Sequence, residues 1–185
     1  PEIKSYIKKY SKNLIFDRYV EPFLGSGSMF LSLVEDDEFE FNAYLLNDIN
    51  QELIHLYKCV KQTPERVIKS HMKIKNNFLK LGNYYEIREK FNGISKDGNK
   101  IKKYDDADRA AALMILNKTC FNGLYRVNKQ GLFNVPQGKY KNPPFVSDDL
   151  ILRISACLPN VRNITSKSFL KINYQKNDLV YFDPP

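Results

Sequence analysis

Asp183 follows an unbroken apolar run, Leu179-Val180-Tyr181-Phe182, and precedes Pro184 and Pro185. A run of aliphatic and aromatic residues of this length reads as a strand covered on both faces. Proline donates no ladder hydrogen bond, so the strand ends where the prolines begin. Asp183 is thereby placed at the carboxyl end of a strand, the edge at which open α/β sheets hold their ligands. A carboxylate fixed there can accept hydrogen bonds from a bound substrate. An Asp-Pro exit is also an ordinary strand-ending turn, so the rest of the chain must decide between the two readings.

A second stretch supplies a place for a ligand. Tyr19, Val20 and Phe23 mark a strand over roughly 17–23, followed by Glu21-Pro22-Phe23-Leu24-Gly25-Ser26-Gly27-Ser28 and an apolar helix from Met29. Glycines let a strand-to-helix turn close tightly and let a ligand approach the backbone, while the helix start offers N–H groups. The third glycine of the dinucleotide fingerprint and the lysine of a P-loop are both missing, which favours a ligand without pyrophosphate. Tyr44 to Asp48 reads as a second strand, and Asp48 lies 23 residues after Gly25. An acidic residue at that distance suits a ribose diol, whose two hydroxyls a carboxylate can accept. It also suits the cap of the next helix.

A third stretch, Asn117 to Asn142, holds five basic residues (Lys118, Arg126, Lys129, Lys139, Lys141) and no acidic one. Phe121, Tyr125, Phe133 and Tyr140 are interleaved with them, and Asn122-Gly123 and Gln130-Gly131 signal turns. Such a loop suits DNA: cations meet phosphates, arginine pairs with guanine, and an aromatic wedges into the stack. A β-hairpin whose aromatics are core has the same composition, and both readings stand at this point.

The elements that position these stretches follow from periodicity. An amphipathic helix with Ile3, Ile7 and Leu14 opens the chain. Helices follow with Ile49, Leu53, Leu56 and Val60 on one face, then Val67, His71, Ile74 and Phe78 after Pro64. His71 is expected at the core edge or surface, and His55 has no evident partner. Residues 92–106 read as a polar, basic loop. A helix over 107–119 follows, capped by Asp105 or Asp106, with Ala110, Leu113, Met114 and Leu116 apolar. Ser147-Asp148-Asp149 caps a helix with Leu150, Ile151, Ile154 and Leu158 that Pro159 ends. Val161 to Thr165 reads as a strand, with Ser168-Phe169 beyond its end. Each of the four strands thus places a turn at one edge.

The composition sets limits. The chain has 185 residues and a net charge of +8, which favours a polyanionic partner. Cys59, Cys120 and Cys157 form no C-x-x-C pair, against a disulfide framework or zinc site, and two histidines without a cluster predict no metal. The sequence shows no membrane span and no signal-peptide pattern, so no membrane partner and a reducing, cytoplasmic setting are expected.

The glycine-rich loop, the Phe121-to-Lys141 stretch and Asp183-Pro184-Pro185, in that order, together resemble the Dam-type (D12 class) DNA adenine-N6 methyltransferases. The resemblance runs through nearly the whole chain and is most specific in the middle stretch. It implies an α/β, Rossmann-like methyltransferase fold with an inserted, mostly helical DNA-recognition domain and a sheet incomplete in this chain. Residues 1–60 would be the cofactor-binding half of the catalytic domain and 61–146 the target-recognition domain. Residues 147–185 would return to the catalytic domain. S-adenosylmethionine would lie against Glu21, Pro22, Phe23, Gly25, Ser26, Gly27, Asp48, Ser168 and Phe169. Serine at 168 stands where many members have aspartate. Double-stranded DNA would meet Phe121, Asn122, Leu124, Arg126, Asn128, Pro136 and Lys139, at GATC. Lys139 stands where arginine is frequent.

The resemblance also gives the terminal motif a task. The exocyclic nitrogen of adenine is a weak nucleophile because its lone pair is delocalised into the ring. Asp183 would accept one N–H and the Pro184 carbonyl the other, with Pro185 stiffening the turn, so that the lone pair attacks the sulfonium methyl in line. The base must first leave the helix. Family members carry an aromatic residue after Asp-Pro-Pro and a lysine- and glycine-containing segment upstream of the first strand. The chain is therefore expected to be an internal piece of a longer enzyme, or a truncated relative, with little or no activity alone. A non-catalytic DNA-binding relative is one rival. Another is a methyltransferase acting on RNA or protein glutamine, against which aspartate rather than asparagine at 183 and the 121–141 loop both weigh.

Overall fold

A computed structural model describes residues 2–10, 16–158 and 161–184. Leu14, Pro159 and Pro185 lie outside the described residues. The chain separates into two compact units, residues 1–54 with 156–185, and residues 55–155. The limits differ from 60/61 and 146/147. The helix expected to begin the return to the first unit belongs, through Ser155, to the second.

The first unit is a parallel sheet in the order β3-β2-β1-β4. It comprises β1 (Arg18–Glu21), β2 (Ala43–Asn47), β3 (Asn163–Thr165) and β4 (Asp178–Val180), with α1 (Glu2–Tyr10) and α2 (Ser28–Val34). Val20 pairs with Leu45 on one side and Val180 on the other. Central strands of a parallel sheet are covered on both faces, and Tyr19, Val20, Leu45 and Leu46 are accordingly buried. Phe30 of α2 packs edge-on to Tyr44, with ring centroids 5.6 Å apart. The terminal strand departs from expectation. It ends at Val180, its residues are half-buried, and Phe182 is 50% exposed. β4 is an edge strand that pairs only with β1 among the described residues, so it lacks a neighbour to cover its outer side. Arg18 fixes its register: Nε donates to Asp178 Oδ1 at 2.9 Å and Nη2 to Oδ2 at 2.6 Å.

The second unit is helical. α3 (Gln51–Gln62) crosses into it, and α4 (Pro64–Leu81), α5 (Tyr84–Asn92), α6 (Asp106–Thr119) and α7 (Asp148–Cys157) follow. α4 buries Val67, His71, Ile74 and Phe78, the face that the periodicity predicts. His71 is fully buried rather than at the edge. The face of α3 is rotated from the expected one: Ile54, Tyr57 and Val60 are buried, while Ile49 precedes the helix and is 69% exposed. α6 is buried on all sides from Ala110 to Leu116, as a helix apolar all round must be. Asp105 caps it, accepting from the Asp108 N–H at 3.0 Å. Among the described residues, no helix is long and apolar enough to cross a membrane. Likewise, no group of three His, Cys, Asp or Glu among them is placed to hold a metal.

Candidate functional site

Because the four strands of the first unit are parallel, their carboxyl ends line one edge of the sheet. β1 leaves through Pro22 and Phe23 into the glycine loop. The Leu24 N–H donates to the Asn47 carbonyl at 2.8 Å, and the Gly27 N–H to the Leu24 carbonyl at 2.7 Å. Gly25 has φ +48°, and a Cβ there would meet nothing within 4 Å. The backbone conformation favours glycine, and the space over it is open to a ligand. Ser26 and Ser28 share a hydroxyl hydrogen bond of 2.7 Å.

Asp48 bridges two turns. Its Oδ2 accepts from the Gly25 N–H and its Oδ1 from the Asn50 N–H, both at 2.9 Å. Capping of α3 falls to Asn50, whose Oδ1 accepts from the N–H groups of Glu52 and Leu53 at 3.0 and 3.3 Å. The carboxylate therefore holds the glycine loop rather than the helix.

Asn47, to which the sequence pattern gives no role, joins three strand ends. Its Nδ2 donates to the carbonyls of Pro22 and Lys167 at 3.0 and 2.9 Å. Its Oδ1 accepts from Thr165 Oγ1 at 2.8 Å and the Lys167 N–H at 3.1 Å. A buried polar side chain with all four bonds made fixes its surroundings. A signal for it does exist in the sequence, since an asparagine inside an apolar strand must find partners if buried.

Glu21 is 2% exposed. Its Oε2 accepts from the Tyr19 hydroxyl at 2.7 Å and the Phe30 N–H at 3.1 Å. Burial pushes the carboxyl up to about 7 against those two bonds, and the charge of Asp183 adds to the rise. Burial also raises the Tyr181 phenol, with Asp183 and Glu21 adding to it. Asp183 and Pro184 are exposed. Glu21, Tyr181 and Asp183 thus form one electrostatic group at adjacent strand ends.

Beside this group lies an uncovered aromatic cluster. Phe23 is 5.2 Å from Phe169 and 6.2 Å from Phe182, centroid to centroid, and Tyr174 is 5.9 Å from Phe182. Phe169 is 38% exposed. Ser168 precedes the short 3-10 turn Phe169–Lys171 and accepts the Lys171 N–H on its carbonyl at 2.9 Å. The edge therefore brings together Glu21, Pro22, Phe23, Gly25, Ser26, Gly27, Asp48, Ser168, Phe169, Asp183 and Pro184. Open backbone at a glycine turn, a carboxylate and exposed apolar rings fit a nucleoside-bearing cation such as S-adenosylmethionine.

The second unit carries the basic stretch, part of which is core and part exposed. Phe133 and Val135 are core, at 2% and 1% exposure. Asn92 holds Phe133 from both sides, donating to its carbonyl at 3.0 Å and accepting its N–H at 2.9 Å. Every residue from Phe121 to Gln130 is exposed, Phe121 by 52% and Leu124 by 49%. Asn122 takes the left-handed conformation at φ 52°, which asparagine tolerates better than most residues. Val127 bridges Phe133 in antiparallel fashion, and Arg126 Nε donates to Asn134 Oδ1 at 2.9 Å. Asn128 Oδ1 accepts the N–H groups of Gln130 and Leu132 at 2.9 and 3.0 Å, closing the tip. Pro136 and Lys139 are exposed. Gly138 lies so close to the Cys120 carbonyl that a Cβ would sit 2.8 Å from it.

The family model described as D12 class N6 adenine-specific DNA methyltransferase matches residues 1–185. A Methanocaldococcus jannaschii protein named Type II methyltransferase M.MjaIII is 36% identical, over 100% of this chain and 63% of its own length. Type II methyltransferase M1.LlaDCHI of Lactococcus lactis is 37% identical, over 92% of this chain and 57% of its own. The DNA adenine methylase of Salmonella typhi is 35% identical, over 90% and 55%. The chain spans somewhat more than half the length of these relatives.

Proposed function

The chain belongs to the D12 class N6 adenine-specific DNA methyltransferases, and from that premise we propose that it transfers a methyl group from S-adenosylmethionine to adenine N6 in duplex DNA at GATC, with the base flipped out of the helix. The observation that carries this reading is the shared sheet edge, where the open Gly25 turn is pinned to Asp48 and Asp183 stands at the neighbouring strand end.

When bound, the cofactor supplies an electrophilic methyl on a positively charged sulfur. Gly25 and Gly27 admit it to the backbone, and the outer lone pairs of Asp48 take its ribose hydroxyls. Ile49 and Phe169, both uncovered, give its adenine an apolar seat. Asp183 and the Pro184 carbonyl accept the two N6–H groups of the target adenine. That directs the nitrogen lone pair along the line of attack and lowers the cost of positive charge on nitrogen. Attack of N6 on the cofactor's methyl would leave the nitrogen with one proton too many, which the Asp183 carboxylate would accept and pass to solvent. Phe23, Tyr174 and Phe182 give this edge a partly exposed apolar wall.

In the second unit, Arg126 reads a guanine through its terminal nitrogens, its Nε being held by Asn134. Phe121 and Leu124 wedge into the stack vacated by the flipped base, flanking Asn122. Pro136 packs against a base edge and Lys139 meets a phosphate. Asn128 shapes the tip that presents them. Sequencing of N6-methyladenine in DNA from cells expressing the protein tests the proposal. Modification confined to GATC is expected. Modification in another context would overturn the site, and none at all would overturn the activity.

A further inference from the structure

Residues 94–103, expected to be a plain loop, form a small ribbon in the second unit. Ile94 bridges Lys100 in antiparallel fashion. The Gly98 N–H donates to the Ser95 carbonyl at 3.0 Å, the Ser95 N–H to the Asn99 carbonyl at 2.9 Å, and the Asn99 N–H to Ser95 Oγ at 3.2 Å. The Ile101 N–H returns to the Gly93 carbonyl at 3.0 Å. The segment is therefore held in shape by its own backbone.

Its charge is one-sided. Lys96, Lys100, Lys102 and Lys103 are all exposed, against a single acidic residue, Asp97. None of the four lysines makes an ion pair among the described residues. Elsewhere in this unit Lys73 lies 3.6 Å from Asp108 and Lys90 lies 2.7 Å from Glu86. Gathering unpaired like charges on an ordered ribbon opposes folding through repulsion, and a polyanion relieves it. Lysine is a compact charge on a flexible stem, suited to phosphate rather than to base edges.

The ribbon also has a fixed relation to the exposed stretch at 121–130. It follows Gly93, the residue after Asn92, whose side chain clasps both backbone groups of Phe133. Phe91 packs edge-on to Phe133 at 6.2 Å. Phe133 in turn bridges Val127, next to Arg126. Lys96 is four residues from Asn92, so its Cα lies at most ~14 Å away. The acidic pair Asp105 and Asp106 comes only after the ribbon, at the cap of α6.

We infer that the lysine ribbon 94–103 is a second DNA-binding surface, gripping backbone phosphates that flank the recognised site. The inference rests on the DNA reading of the 121–141 stretch and goes beyond it by assigning a separate, sequence-blind surface.

The test is equilibrium binding of the protein and its Lys96→Gln/Lys100→Gln/Lys102→Gln/Lys103→Gln variant, across a salt series. Two duplexes carry one GATC: one ends a few base pairs beyond the site, and the other extends by about one turn, ~10 base pairs, on each side. The extended duplex is expected to bind the variant about tenfold more weakly, with the salt slope shallower by ~0.9 for each phosphate that is no longer neutralised. The short duplex should bind both proteins alike, and preference for GATC should be unchanged. The corresponding four-fold Lys→Arg variant should restore binding. Unchanged affinity and slope on the extended duplex, with GATC preference intact, would overturn the ribbon alone. Equal losses on both duplexes would overturn the flanking assignment. Absence of duplex binding by the unmodified protein would overturn the DNA reading and the ribbon with it.

Discussion

The Asp48 carboxylate accepts the Gly25 N–H at 2.9 Å, so the residue expected to hold a ribose also holds the turn over which that ribose would lie. Ligand binding and loop shape therefore depend on one side chain. Asp48→Ala should weaken S-adenosylmethionine binding by at least tenfold, since a charged acceptor serves both the ligand and the loop. Asp48→Asn keeps one acceptor oxygen and should lose less. Titration calorimetry with the cofactor separates the two. Equal affinity in the alanine variant would remove Asp48 from the site.

Glu21 predicts a pH dependence. Its carboxyl is raised from the ordinary 4.5 to about 7, chiefly by burial. The folded protein thus holds this proton more tightly than the unfolded chain does. Its contribution to stability is full below the unfolded value, declines as pH rises and is lost above about 7. Glu21→Gln keeps an acceptor for Tyr19 and Phe30 and should flatten that decline, which amounts to ~3 kcal/mol. Denaturant unfolding between about pH 3.5 and 8, roughly one unit beyond each end of the range where the shift acts, measures it. An unaltered profile would place the proton elsewhere.

His71 predicts the opposite slope in the other unit. It is fully buried, and neither ring nitrogen has a partner among the described residues. Burial pulls its ring below the ordinary 6.5, Lys75 adds to the fall, and Asp148 opposes it. The unfolded chain takes up this proton first, so stability is full above about 6.5 and is lost as pH falls through the folded value. His71→Leu removes two unpaired polar atoms and should stabilise the protein by ~1–2 kcal/mol. Thermal unfolding at neutral and mildly acidic pH should show the gain widening in acid.

Arg126 should discriminate sequence rather than supply bulk affinity. Arg126→Ala is expected to cost ~1–3 kcal/mol of preference for GATC over a duplex altered at one guanine. Asn134→Ala, which frees the guanidinium to swing, should cost less at the same position. Competition binding with the two duplexes measures both. A uniform loss across sequences would make Arg126 a phosphate-binding residue.

What could be read from the sequence depended on how far each signal was local. The face of α4 was legible because Val67, His71, Ile74 and Phe78 repeat with the helix. The face of α3 was not, since Ile49 mimics a helical position yet stands before the cap at Asn50. The α6 pattern hid its centrality, because alanines read as neutral until packing makes them core. At the strand ends, residue type and spacing placed Gly25, Asp48 and Asp183, as the sheet does. Asn47 was missed because all its partners come from residues distant in sequence or from backbone atoms. Composition could not separate the buried Phe133 from the exposed Phe121, since partners distant in sequence, among them Asn92 and Phe91, hold Phe133 in the core.

The interruption of the sheet by residues 55–155 has a kinetic consequence. β1 and β2 meet early, but β4 must cross 160 residues of chain to reach β1 through Arg18 and Asp178. Closing so long a loop is slow, and short-range helical pairings form first. During synthesis the helical unit emerges whole while the sheet still exposes the unpaired edges of its first two strands. Of the four described strands, β4, which leads into Asp183, is synthesised after the others. The edge can therefore assemble only after the intervening residues 55–155 have been synthesised.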